Sequence, residues 1–285
     1  MEQCVKKDFR DLQKKHLEIL QYVDSFCREN EIDYCLAYGS ALGAKRHGGP
    51  IPWDDDADIY MTAAGYDRFR GLFLEKGDRD RFYIQQMQSI DGMVGFAKIR
   101  MNGTTYIQDI YKEDDMHQGI YVDIFLLHEA PATALGRLSC VLATSYRTLK
   151  EMANTNYAKR KIVKPITAVL NLFPRKFGLK TAYRQLYRWD DTPSDSYAEW
   201  EFYTGNPRWY LKKDLIFPAQ RMDYDGVSLC VPRQIEKYLE QCYGNWQQIP
   251  SDDKIAWCQH ALICDTEKDF REYLPNIKDF KDEGF

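Results

Sequence analysis

Trp53-Asp54-Asp55-Asp56-Ala57-Asp58-Ile59-Tyr60-Met61 crowds four carboxylates against the start of an apolar run. Read as a strand, its side chains alternate between faces, so Asp54, Asp56 and Asp58 share one side and Asp55 takes the other. Carboxylates held this close repel one another. A hard divalent cation removes that cost, because Mg²⁺ takes oxygen ligands, commonly one or two carboxylates together with phosphate oxygens. Taken alone, the four acids also suit a calcium-tolerant loop or a solvated turn, and the flanking sequence has to decide.

Upstream, residues 34–40 (YCLAYGS) read as a short buried strand ending in a Gly39-Ser40 turn, and residues 41–47 as a helical turn running into the Gly48-Gly49-Pro50 break. Gly39 has no side chain to block close approach, and Ser40 adds a hydroxyl to the backbone N–H groups, so the turn suits a donor phosphate. Arg46 and His47 follow. A guanidinium grips phosphate through two hydrogen bonds and an imidazole holds a phosphate oxygen or moves a proton, although both would also sit well on a surface turn.

Downstream, Tyr121-Val122-Asp123-Ile124-Phe125 buries one acid in an apolar strand, which is costly unless Asp123 is paired, hydrogen-bonded or bound to metal. A neighbouring strand would bring it to the same ion as Asp56 and Asp58, where converging carboxylates on Mg²⁺ polarise a phosphoryl group. A Gly-Ser turn, then acids on one strand, then a buried acid on a later one is the order such a site requires. Lys98 and Arg100 alternate with apolar residues and share a face, as a phosphate clamp or as plain solvent-facing cations.

Around this centre the chain reads as α/β to about residue 130 and mainly helical after it. Phe9, Leu12, Leu17, Leu20, Val23 and Phe26 recur at helical spacing through residues 7–29. A helix over about 66–75 precedes strand-like residues 82–88, 95–101 and 104–111. Beyond Pro131 come long helical patterns, with VPRQIEKYLEQCYG at 231–244 as a helix opened by proline. There is no internal repeat and no low-complexity tract.

Composition is that of a globular protein, 44% hydrophobic and 29% charged, so disorder and fibres are excluded. The first fifteen residues lack the apolar core of a secretory signal and no uncharged apolar run reaches membrane-span length, which predicts a cytoplasmic protein with reduced cysteines. Cys258, His260 and Cys264 form the only tight group of zinc-ligand types, equally suited to core positions. The net charge of −4 conceals twelve Lys or Arg against the single acid Glu151 between Arg137 and Arg188. That block, with ITAVLNLF at 166–173, suits either docking on an anionic bilayer at the inner face of the membrane or a lipid-linked pyrophosphate acceptor. Nucleic acid is a poor partner for an acidic chain without a binding motif.

These residues resemble the LicD family, which includes bacterial phosphocholine transferases and is related to the fukutin group. The resemblance is carried by ALGAKRH at 41–47, Ile51-Pro52-Trp53-Asp54-Asp55-Asp56-Ala57-Asp58-Ile59 and Gly119-Ile120-Tyr121-Val122-Asp123-Ile124-Phe125. The carboxy-terminal block continues it through Phe217-Pro218, Val231-Pro232, Tyr238-Leu239 and Tyr243-Gly244. It implies an α+β, nucleotidyltransferase-like mixed sheet flanked by helices, with residues 1–130 as the core and 131–285 completing the same domain on the acceptor and donor side. It further implies Asp56, Asp58 and Asp123 as catalytic and metal-binding acids for Mg²⁺ or Mn²⁺. The implied reaction moves a phospho-alcohol, foremost phosphocholine, from a CDP-alcohol onto a glycan hydroxyl. Leu126, His128 and Asn245 depart from the family pattern, which leaves acceptor and alcohol open. Were the alcohol choline, aromatic faces such as Tyr203, Trp209 and Tyr210 would meet its ammonium. Two rivals stand beside this reading: nucleotidyl transfer from an NTP, and a binding module with a degenerate site.

Overall fold

The apolar stripe of the first helix holds as expected in the computed structural model, which describes residues 9–85, 97–112, 115–153, 165, 168–169, 172–173, 178–200, 210–251 and 260–279. Helix α1 (Arg10–Glu29) buries Leu12, Ile19, Leu20, Val23 and Phe26. Tyr22 stacks on Phe82 at 4.4 Å and Phe26 meets Phe69 edge-on at 5.4 Å, so α1 shares an aromatic core with α3 (Ala63–Lys76) and β3 (Phe82–Gln85). Such ring pairs add roughly 0.5–1.5 kcal/mol each beyond area burial. Thr62 caps α3 by accepting from the Gly65 amide at 3.0 Å.

The chain divides into two compact units, Met1–Phe125 with Asp214–Phe285, and Leu126–Lys213. The return of residues 214–285 to the first unit was not anticipated by the expected boundary at residue 130. In the first unit the sheet order is β1 (Tyr34–Leu36), β2 (Asp58–Thr62), β6 (Tyr121–Glu129, through Phe125), β4 (Ala97–Met101), β3. Pairs β1/β2, β3/β4 and β4/β6 are antiparallel, and the last sets Lys98 directly opposite Asp123. Helix α2 (Tyr38–His47) follows β1, and β5 (Thr105–Gln108) pairs with β11 (Ala261–Asp265).

Strands β9 (Gln220–Tyr224) and β10 (Val227–Val231) form a hairpin whose turn residues Asp225 and Gly226 both have positive φ, 53° and 80°. Two central residues of that kind match the right-handed strand twist. The Asp225 amide donates to the Gly48 carbonyl at 2.7 Å, fixing the hairpin tip on the end of α2. The first residue of α2, Tyr38, has φ 39°, a rare conformation for a bulky side chain, held by its amide donating to the Tyr238 hydroxyl at 2.9 Å.

In the second unit, Leu127–Glu129 at the end of β6 pair with β7 (Ser196–Glu199), and β7 with β8 (Tyr210–Lys212). Helices α4 (Ala134–Ala153) and α5 (Leu179–Tyr187) close on a core of Ala130, Cys140, Leu186, Ala198 and Trp200. His128 is buried, bonded to Asp190 at 2.8 Å and stacked on Tyr187 at 4.6 Å, so this departure from the family pattern has a packing role. Beyond residue 131 the described residues hold more helix than strand, with five short strands added; α6 (Ile235–Tyr243) begins three residues after Pro232.

His117 makes the first unit acid-sensitive. Its Nδ1 accepts from the Gly119 amide at 3.1 Å and its Nε2 donates to Asn102 Oδ1 at 2.9 Å, an arrangement only the neutral ring can make. Burial, then the charge of Arg100, lowers its pKa to about 3. The unfolded chain therefore binds a proton that the folded one refuses, and stability complete above about pH 6.5 is lost as pH falls toward 3. Urea unfolding is expected to lose roughly 2–3 kcal/mol from this residue between pH 7.5 and 4.5. In His117→Asn that increment should vanish; an unchanged pH slope would refute it.

Candidate active site

The acidic run is not the strand its alternation suggested. Residues 51–57 form an extended loop and β2 begins only at Asp58, because the loop's polar groups are held from outside the sheet. The Gln13 side-chain amide donates to the carbonyls of Ile51 and Asp54 at 2.9 and 3.0 Å, tying the loop to α1. Asp54, Asp56 and Asp58 lie within each other's electrostatic reach and Asp55 bonds His260, but Asp56 also lies close to Asp55 and His260, so the loop does not keep Asp55 on a separate side.

Asp55 accepts from the His260 amide at 2.7 Å and meets its Nδ1 at 3.0 Å. Burial pushes the Asp55 carboxyl up, but the His260 hydrogen bond and charge overcome this and leave it below the usual carboxylate value. The same bond raises His260. Ligand-capable atoms of Asp55, Asp56 and His260 lie within 4.8 Å of one another.

Gly39 and Ser40 lie inside the first turn of α2 rather than in a turn before it, because Ala37 already has the extended geometry of a cap. The fit is close: a Cβ on Gly39 would stand 2.6 Å from Asp54 Oδ2, so the glycine admits that carboxylate. Ser40 Oγ accepts from the Asp58 amide at 2.9 Å and so fixes the start of β2 against α2.

Asp123 arrives from β6, its amide donating to the Ala57 carbonyl at 2.8 Å. Lys98, its cross-strand partner, donates to its carboxylate, and the ammonium lies 3.6 Å from the Tyr121 ring centre. Burial lowers Lys98, against the pull of Asp123. Asp56 and Asp58 each lie within electrostatic reach of Asp123. Burial first, then neighbouring carboxylates, lifts Asp56 to about 6 and Asp54 and Asp58 well above the ordinary range.

The other expected contacts differ. Lys98 and Arg100 are both buried, which removes the solvent-facing reading, and Arg100 donates to Gln85 Oε1 at 2.6 Å and the Gly119 carbonyl at 2.8 Å. Its guanidinium is engaged by the protein. Arg46 donates to the carbonyls of Trp246 and Gln248 at 2.9 and 3.3 Å while lying within reach of the Asp54 charge, and His47 meets Trp53 edge-on at 5.6 Å. Tyr210 sits on β8 beneath Arg137 at 5.0 Å, whereas Tyr203, Trp209 and Cys258 lie outside the described residues. Cys27, Cys35, Cys140 and Cys230 are free thiols, and Cys264 lies exposed on β11.

Two tyrosines went unforeseen. Tyr224, buried at the end of β9, is raised by burial and then by the charge of Asp54, and Tyr243, exposed at the end of α6, lies within electrostatic reach of Asp54, Asp56 and Asp58. Neither stands near the acids in sequence, and only their place in the carboxy-terminal block hinted at them.

The donor set suits a hard divalent cation. Crowding and burial raise the proton affinity of Asp54, Asp56 and Asp58, while Lys98 and His260 are already paired to Asp123 and Asp55.

A sequence model of the LicD/FKTN/FKRP nucleotidyltransferase domain matches residues 31–169, the span that holds all four aspartates and Asp123. The chain is also 25% identical over 276 residues, 90% of its length and 99% of the relative's, to the lipopolysaccharide cholinephosphotransferase LicD of Haemophilus influenzae. With the acid pair, the Gly-Ser head of α2 and the buried Asp123 gathered inside the matched span, residues 31–169 are a nucleotidyltransferase domain of the LicD family.

Proposed function

We propose that the protein transfers a phospho-alcohol, phosphocholine foremost, from a CDP-activated donor to a sugar hydroxyl of a cell-surface glycan or its lipid-linked precursor. One observation supports this most: carboxyls from the loop before β2, from the start of β2 and from β6 lie within one another's electrostatic reach with more negative charge than their neighbours neutralise. The likeness to a lipopolysaccharide cholinephosphotransferase supports choline as the alcohol and a glycan as the acceptor.

In this reading Asp56 and Asp58, with Asp123, hold Mg²⁺ or Mn²⁺. When bound, the cation supplies Lewis-acid polarisation of a phosphoryl oxygen. The protein's own part is positioning and charge. Ser40 and the first turn of α2 orient the donor phosphates, and Arg46 and His47 flank them. Asp54, seated against Gly39, takes the hydroxyl proton as the oxygen attacks the distal phosphorus in line and CMP leaves. Lys98 holds Asp123 in place.

A panel of CDP-choline, CDP-ethanolamine, CDP-glycerol and CDP-ribitol, offered with Mg²⁺ and acceptor glycan, is expected to release CMP with one or more donors and none without the cation. Release of pyrophosphate from CTP or ATP, with every CDP-alcohol inert, would transfer the site to nucleotidyl chemistry.

A further inference from the structure

Helix α4 in the second unit is patterned inside out. Leu135, Leu138 and Leu142 recur at spacings that share one helix face, and they are 76%, 52% and 64% exposed. On the opposite face the helix buries Cys140, Thr144, Arg147 and Lys150. Both cations are fixed there, Arg147 donating to the Trp200 carbonyl at 2.8 Å and Lys150 to the Phe173 carbonyl at 3.1 Å, so the helix cannot roll to hide its leucines without stripping two buried charges. Val169 and Leu172, 57% and 80% exposed, add apolar surface in the same unit.

We propose that this leucine face docks the protein on the headgroup and upper acyl region of an anionic bilayer. Charge selects the occupant. The same unit presents exposed Arg137, Lys180, Arg184 and Arg188, and its sequence from Arg137 to Arg188 carries twelve cations against one acid in an otherwise acidic chain. A second copy would set that cationic excess against its like, whereas an anionic lipid surface neutralises it. Among the described residues no helix is long and apolar enough to cross a membrane, so the contact lies in the interface, where apolar burial and cation attraction act together. The surface needs no turnover and stands apart from the transfer chemistry.

Sedimentation of the full chain with lipid vesicles tests this. With phosphatidylcholine mixed with phosphatidylglycerol at low salt the protein is expected to pellet, and with phosphatidylcholine alone to stay largely in solution. Leu135→Ser/Leu138→Ser/Leu142→Ser, whose sites are solvent-facing and whose melting temperature should match wild type, is expected to partition at least tenfold more weakly. Lys180→Gln/Arg184→Gln should weaken binding and reduce its salt dependence, while Asp58→Asn should pellet as wild type does. Wild type remaining in the supernatant with anionic vesicles, or the triple variant pelleting equally, overturns the proposal. So does a dimer by light scattering that the triple variant dissociates without any vesicle binding.

Discussion

Asp58→Asn is expected to lower transfer by a factor on the order of a thousand or more while making the metal-free protein more stable. The two effects share one cause. Burial and the charges of Asp56 and Asp123 push the Asp58 carboxyl well above its ordinary value, so the folded chain holds that proton more tightly than the unfolded chain does. By linkage, such a group favours the fold at low pH and loses that contribution as pH rises through its raised value. At pH 7.5 the wild type therefore carries a repulsion that asparagine lacks. A gain on the order of 1 kcal/mol, or about 2–4 °C in melting temperature, should appear in EDTA. Adding Mg²⁺ should raise the wild-type melting temperature by mass action and move the variant much less. A merely structural aspartate would give the opposite signature, a less stable variant with normal turnover, and that result would remove Asp58 from the site.

The charge pattern that underlies this prediction was legible in the sequence because acids repel whatever backbone carries them. Asp54, Asp56 and Asp58 lie within one another's electrostatic reach although residues 54–57 are loop and not strand. The secondary structure around them was less legible. Gly39 and Ser40 read as a turn from their residue types, yet the fold places them in α2, where Gly39 is needed for the space its missing Cβ leaves to Asp54. Local propensity does not encode that tertiary demand. Lys98 and Arg100 illustrate the same limit: alternation put both on one face, but only the register of β4 against β6 gives Asp123 to Lys98, while Gln85 and Gly119 hold Arg100. Gln13, Tyr224 and His260 reach the acidic loop or its charges from distant parts of the chain, and no spacing rule points at such contacts.

Lys98→Met should be the most destabilising single change at the site. The pair it breaks is almost wholly buried, with the Lys98 and Asp123 side chains 4% and 9% exposed, so removing the ammonium strands a carboxylate beside Asp56 and Asp58. Breaking a buried pair from one side typically costs about 3–5 kcal/mol, whereas replacing both partners by apolar groups of similar size is often close to neutral. Urea unfolding of Lys98→Met, Asp123→Leu and the double variant at pH 7.5 closes the cycle. The double variant is expected to recover most of the stability lost by Lys98→Met while staying inactive, since the third acid is gone. Mg²⁺ offers a further discrimination. A cation that shares Asp123 with Asp56 and Asp58 replaces part of the charge the lysine supplied, so Mg²⁺ should stabilise Lys98→Met by more than it stabilises wild type. An equal effect on both would mean that Asp123 serves Lys98 alone and that the metal is held by the acids around β2 without it.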